Sequence, residues 1–533
     1  MNFNWRKVSA ICSFISIINL SAQTSHEISV KDFGAKGDGI SVDTKEIQKA
    51  IDKCSEKGGT VFFPPGKYLT GSLNLKDNID IYISSGAIIL GSTNLNDYTE
   101  HQPELKSYND AFLRFSLFYA EKVKNISIRG EGMIDGQGCS FKVTTKAKPD
   151  RYKNRPFIIR FVECENIRIE NLTLQNSAMW MQQYLACSDL TIRGIKVFNH
   201  ANQNNDMMDI DGCSNVIISD CIGDTDDDAI VLKSTSLHVN ENIIINNCIV
   251  SSHCNAVKMG TESTGGFKNI AISNIVIKPS REKKPIFGTP GGISGIILAT
   301  VDGGILEGIT ISNITISGPQ VPICLRLGNR ARKYSDEAPA PGVGVFRNVL
   351  ISNIVANNVD AIGCSITGIP DNYIENVSLE NIKITFRGGV RKGDYKTEVQ
   401  EMVESYPEGT MWGNLPAYGF YIRHAREIKL TNVSISYKEK DQRPAILLDD
   451  TENIKINSLD ATVSKEAEHL IGVINSRNIC IENSVAKGES ECFVSVKDSI
   501  SKNIFLNGND LRNFKKPFLQ KVEGQIKPSC NIN

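Results

Sequence analysis

From residue 124 to the carboxyl end one short phrase keeps returning: a charged or polar residue, Asn or a close relative, alternating polar and β-branched residues, then Asn again. It reads KNISIRG at 124, ENIRIENLTL at 165, SDLTIRGIKV at 188, SNVIISDCI at 214, ENIIINNCIV at 241, KNIAISNIVI at 268, EGITISNITI at 307, RNVLISNIVA at 347 and ENVSLENIKI at 375. Further copies begin at 426, 452, 477 and 502. Within each phrase Ile, Val or Leu alternates with polar residues, the period of a strand with one buried face. Neighbouring copies are commonly about 23 to 28 residues apart, with some gaps near 40 or 50. A repeat this short cannot bury its apolar row alone, whereas stacking coil on coil does so, with strands ~4.8 Å apart. The pattern therefore predicts an all-β chain folded as a parallel β-helix of ten or more coils, right-handed by the crossover rule. The recurring Asn suits a turn between strands, where its side chain can bond backbone and stack on the next Asn. A β-propeller would need repeats of about 40 residues, each with four strands.

The amino-terminal end departs from this rhythm. In VDTKEIQKAIDKCSEKGG, Ile47, Ala50, Ile51 and Cys54 form an apolar helical stripe closed by Gly58 and Gly59. A helix there would cap the open end of the stack. Three stretches longer than one coil, 279–291, 329–343 and 385–418, are expected to leave the barrel as loops over one face. The last contains a helix-like run, TEVQEMVESY.

Composition narrows the partners. The 533 residues carry a formal net charge of −1, which argues against a nucleic-acid binder and gives no reason to expect a membrane-surface protein. Residues 1–22 read as a secretory leader: Arg6 and Lys7, a short apolar run, and small residues before Gln23. The run is too short for a transmembrane span, and Gln23 is not the Cys of a lipid anchor. The mature chain is thus expected as one β-helical domain, 23–533, in the periplasm or outside the cell. Of 14 cysteines, Cys12 lies in the leader and none of the others forms a CxxC pair. They read as small core residues rather than metal ligands.

Chemistry concentrates in NNDMMDIDGCSNVIISDCIGDTDDDAIVLKS, residues 204–234. Asp227 and Asp228 follow Asp206 by about one coil, which predicts three carboxyls on one face within several Å. Carboxyls so placed cannot all titrate normally: repulsion raises at least one, leaving an acid beside ionised bases, as glycosidic-bond hydrolysis requires. Without further information a calcium site or a solvated patch remains an equal alternative. Asp209, Asp211, Asp220, Asp224 and Asp226 fall at turn-like or alternating positions and are expected to cap turns or face solvent.

The opening VKDFGAKGDG…GGTVFFPPGKY, together with NNDMMDIDGCSNVIISDC and TDDDAIVLKS, resembles glycoside hydrolase family 28, the polygalacturonase and rhamnogalacturonase group. The resemblance covers most of the mature chain. It implies an inverting hydrolase of pectic polysaccharide or oligosaccharide, with Asp227 as general acid and Asp206 and Asp228 holding and deprotonating the water. It implies no cofactor and no metal, and a monomer is expected. Two family features are replaced. Asn255 stands at the position of a family histidine, and Asn cannot shuttle a proton; His253, two residues earlier, is a candidate substitute. Ile297 and Ala299 stand where two family cations grip the sugar carboxylate; Lys258 and Arg326 are candidate replacements, and Asn204 completes the candidate substrate-binding set. Arg423 and His424 are weaker candidates, and Trp180 either floors a sugar subsite or packs beneath a loop. Two rivals survive: a β-helical polysaccharide lyase using Ca²⁺, and a non-catalytic glycan-binding solenoid.

Overall fold

The computed structural model describes residues 26–532 except 110, 111, 146, 148 and 149; the leader expected at 1–22 lies outside the described residues. The chain winds as a right-handed parallel β-helix, with the strands joined into one continuous sheet. Coil follows coil in fixed register. Ile167 pairs with Leu190, Leu190 with Val216, Val216 with Ile243 and Ile243 with Ile270. The row continues through Ile309, Val349, Val377 and Ile428, and every member is buried. Burial of this row, repeated on each face, is what joins short repeats into one body.

The Asn positions have a backbone cause. One residue before the buried aliphatic, Asn166, Asp189, Asn215, Asn242, Asn269, Asn348 and Asn376 all sit in the left-handed region. The one coil lacking Asn or another side chain there has Gly308, with φ +69°. Asn and Gly adopt that conformation at least cost. Their amides also form ladders from coil to coil: Asn269 Nδ2 donates to Asn242 Oδ1 at 2.7 Å and Asn376 to Asn348 at 2.8 Å. A second ladder runs Asn313, Asn353, Asn381, Asn432.

The expected cap is present: helix α1, Thr44–Ser55, buries Ile47, Ala50, Ile51 and Cys54. Thirteen cysteines are free thiols, ten of them buried. No helix among the described residues is long and apolar enough to cross a membrane.

The segment 397–406 is not helical, contrary to its periodicity. Its carbonyls are taken by groups from elsewhere. Arg423 takes that of Val399, the Trp412 indole that of Gln400, Arg326 those of Glu401 and Met402, and the Asn329 N–H that of Val403. Five consecutive carbonyls bonded outward leave no acceptors for a helical ladder. The loop is thereby pinned over the outer face, where Ile297, Val321, Cys324 and Leu415 form a small separate core against Trp412.

Candidate active site

The strand Met208–Asp211 pairs with Ile230–Ser234, and this pairs with Asn255–Ser263. At the entry to each, the N–H of Met207 bonds the carbonyl of Asp228 at 3.0 Å and that of Ala229 bonds the carbonyl of Asn255 at 2.9 Å. Asp206, Asp228 and Asn255 are therefore successive rungs of one column, with Trp180 a rung before. One coil is indeed the spacing from Asp206 to Asp228. Asp227 stands beside the column on the turn preceding the strand.

Asp206, Asp227 and Asp228 line a cleft of about 670 Å³ with Trp180, Asn204, Lys233, Glu262, Tyr406 and Glu408. Asp206 and Asp228 are 2% and 4% exposed, while Asp227 is half-buried. Asp228 has both oxygens engaged: Lys258 Nζ lies 2.7 Å from Oδ2, and Asn255 Nδ2 donates to Oδ1 at 2.7 Å. Asp227 accepts more weakly, from Asn204 Nδ2 at 3.3 Å and from the Asp228 N–H at 3.0 Å. Burial and then the charge of Asp228 push the Asp227 carboxyl up to about 6. Asp206 is raised well above the ordinary range by burial, then by Asp209 and Asp227, and its Oδ1 has no hydrogen-bond partner among the described residues.

Several site groups escaped the sequence reading. Lys233 Nζ lies 3.6 Å from Asp206, 3.2 Å from Asp209 and 3.8 Å from Glu262, and 4.4 Å from the centre of the Trp180 ring. Trp180 thus lines the cleft and also packs under its rim against Phe157. Burial pushes Asp209 up to about 7, only partly relieved by Lys233. Glu262 also loses solvation on burial, but Arg332 and Lys233 outweigh this and hold it well below the usual range. The irregular 397–412 loop delivers Tyr406, whose hydroxyl is 2.8 Å from Lys258 Nζ, and Glu408, raised by burial to about 7 beside Asn255. The DDDAIVLK run made Lys233 findable as an outward strand residue two positions from Val231. Tyr406 and Glu408 lie in a segment with no periodicity to place them.

Four expectations are corrected by placement. His253 does not line the cleft: it is fully buried, 2.9 Å from Asp226 Oδ1 on one side and from the Glu282 carbonyl on the other. Residues 253 and 254 form the bend between two strands, so the alternation that would have turned His253 toward Asn255 is interrupted. Arg326 also lies outside the cleft, spent on the carbonyls of Gly368, Glu401 and Met402. Arg423 and His424 are paired with Glu401, Asp449 and Asp450. Last, Asp209, Asp211, Asp224 and Asp226 are buried rather than solvated, with Asp211, Asp224 and Asp226 accepting from turn and loop N–H groups; only Asp220 of that group is on the surface. Loops roof the coil where simple alternation would have left it open.

A parallel β-helix with carboxyls stacked on adjacent coils, in a cleft edged by aromatic rings and cations, has the build of a carbohydrate-active protein. The chain belongs to the glycosyl hydrolases family 28, whose model matches residues 61–403. It is 32% identical over 221 residues to a probable polygalacturonase of Vitis vinifera, covering 39% of this chain and 45% of that one. It is 35% identical over 150 residues to an exo-poly-alpha-D-galacturonosidase of Dickeya chrysanthemi, covering 27% and 24%. The chain thus spans less than half the length of these curated relatives. Its fold is similar to that of a hyperthermoactive exopolygalacturonase from Thermotoga maritima, with TM-score 0.56 and 22% identity over 68% of this chain and 87% of that one. A family 28 exopolygalacturonase from Yersinia enterocolitica gives 0.53 and 17% over 95% and 79%.

Proposed function

We propose that the protein is a secreted, inverting glycoside hydrolase that cleaves galacturonic-acid-type bonds in pectic polysaccharide or oligosaccharide. The observation that carries this reading is the column Asp206–Asp228–Asn255 with Asp227 beside it. One carboxyl stays protonated near pH 6, and another has both oxygens held as acceptors. Asp227 protonates the leaving glycosidic oxygen, and a water between Asp206 and Asp228 attacks the anomeric carbon from the opposite face. The water's proton passes to Asp228, whose oxygens Lys258 and Asn255 hold as acceptors, and the anomeric centre inverts. Asn204 keeps Asp227 oriented, while Lys258 and Asn255 fix the plane of Asp228. Proton transfer between carboxyls is all the step demands. The names of the relatives support the pectic substrate, and residues 1–22 support export of one monomeric β-helical domain.

The test is reducing-end release from polygalacturonate and its oligomers, with the first-formed anomer read by proton NMR. The reading expects hydrolysis with inverted configuration. An unsaturated, ultraviolet-absorbing product lost on chelation would replace it with a lyase, and glycan binding without turnover would replace it with a binding solenoid.

A further inference from the structure

Four cations line the cleft, Lys233, Arg151, Arg330 and Arg332, with Lys258 buried behind Asp228, and three of these five are already committed. Lys233 is shared among Asp206, Asp209 and Glu262. Lys258 is paired to Asp228. Arg332 is held between Glu262 and Asp302. A cation neutralised in this way cannot also bind a substrate anion without abandoning a buried carboxylate, at strong cost. Arg151 and Arg330 are different: neither has a carboxylate partner among the described residues. Arg151 stacks on Tyr152 at 4.7 Å and lies 5.8 Å from the Phe287 ring, and its Nε is buried without a hydrogen-bond partner. Arg330 makes one long contact, 3.4 Å to Thr261 Oγ1, and lies 5.2 Å from the centre of the Tyr406 ring.

Resting on the hydrolase reading above, we propose that Arg330, backed by Tyr406, is the group that binds the substrate's carboxylate and so selects an acidic sugar over its neutral counterpart. A guanidinium lying over an aromatic ring has its face covered and its N–H edge free, the geometry that grips a carboxylate through two parallel bonds. The position connects recognition to the reacting centre. Tyr406, which carries Arg330, bonds Lys258, and Lys258 holds Asp228. A sugar anchored on Arg330 is thereby presented to the carboxyl column. The strand positions that resemblance would give this task hold Ile297 and Ala299, both fully buried, Ile297 in the small core against Val399 and Trp412. Selection has moved to two loops, one carrying Arg330 and the other Tyr406.

The experiment compares trigalacturonate with its fully methyl-esterified form on wild type, Arg330→Gln and Arg330→Lys, by KM and kcat and by calorimetric binding to the same proteins. Arg330→Gln should weaken the acid by about 10- to 100-fold in KM and Kd, the range for losing a charge-assisted pair, and leave the ester unchanged. Arg330→Lys should recover part of the loss, since it keeps charge but not the fork, and Tm should not move. Equal losses on acid and ester, or no loss on either, overturn the proposal. If wild type turns over neither ligand, the hydrolase reading fails, while the calorimetric acid-over-ester preference and its loss in Arg330→Gln still decide the role of Arg330.

Discussion

Five aspartates of 204–234 form two groups that are oppositely treated: Asp224 and Asp226 behind the turn, and Asp206, Asp209 and Asp227 at the cleft. On the side of the turn away from the cleft, each carboxyl is fully served. Asp224 takes His200, Ser280 and the Arg281 N–H, and these hold it well below its ordinary value despite burial. Asp226 takes His253 and the N–H groups of Ile286 and Phe287. Asp211 stands apart from both: Thr235 bonds it through backbone and hydroxyl, yet burial still raises it. On the cleft side Asp206, Asp209 and Asp227 are crowded, share Lys233 and Lys258 at longer range, and are raised by burial. The back group ties the 279–288 loop to the coil; the cleft group keeps a proton available near neutrality. Burial alone does not make a catalytic carboxyl: burial with too few donors does.

The largest expected effect separates the groups by rate. Asp227→Asn should lower kcat about 10²- to 10⁴-fold, the usual worth of a positioned general acid, whereas Asp224→Asn should leave a folded, active enzyme. Stability should move the other way, with opposite pH dependence. Asp227 is raised, so its contribution to folding is present below its unfolded value of 3.8 and is lost as pH rises through about 6. Asp227→Asn should therefore gain Tm relative to wild type as pH rises from about 4 to 7. Asp224 is depressed, so its contribution is present above 3.8 and lost as pH falls; Asp224→Asn should cost most at neutral pH and least in acid. Parallel Tm curves for the two variants would break the comparison.

A smaller effect is expected from opening the back group outright. Asp226→Ala leaves His253 and two loop N–H groups without their acceptor, and should cost about 3–5 kcal/mol in urea unfolding, as removal of one partner from a buried pair does. A cost below about 1 kcal/mol, no more than an exposed pair gives, would mean the network is not structural.

Much of this was legible in the chain. The alternating phrase and its Asn residues specify strand, turn and register together, because the left-handed turn position admits few other side chains at low cost; Asp189, Gly308 and Glu427 are the substitutes in this row. The one-coil interval from Asp206 to Asp228 follows from the same period. What escaped lies where the period breaks. The bend at 253–254 reversed the expected direction of His253. The 385–418 excursion carries Tyr406 and Glu408 to the cleft by bonds to Arg326, Arg423 and Asn329, partners distant in sequence. A helical pattern in TEVQEMVESY lost to those same bonds, since tertiary acceptors and donors outweigh local propensity.

The smallest effect tests that loop. Arg326→Met should cost about 1.5–3 kcal/mol, the worth of hydrogen bonds to a charged group. It should speed amide exchange across 399–406 and raise KM through displaced Tyr406, with the Asp227 titration unchanged. Unaltered exchange would show the loop is held by other contacts.

The comparison between the two groups of aspartates rests on where their protons are. Carbon-13 NMR of aspartate carboxyls, assigned through Asp227→Asn and Asp224→Asn, reads this directly. Asp227 should titrate with a midpoint near pH 6, while Asp224 remains ionised far below 3.8. An Asp227 midpoint at or below 3.8 would contradict the account.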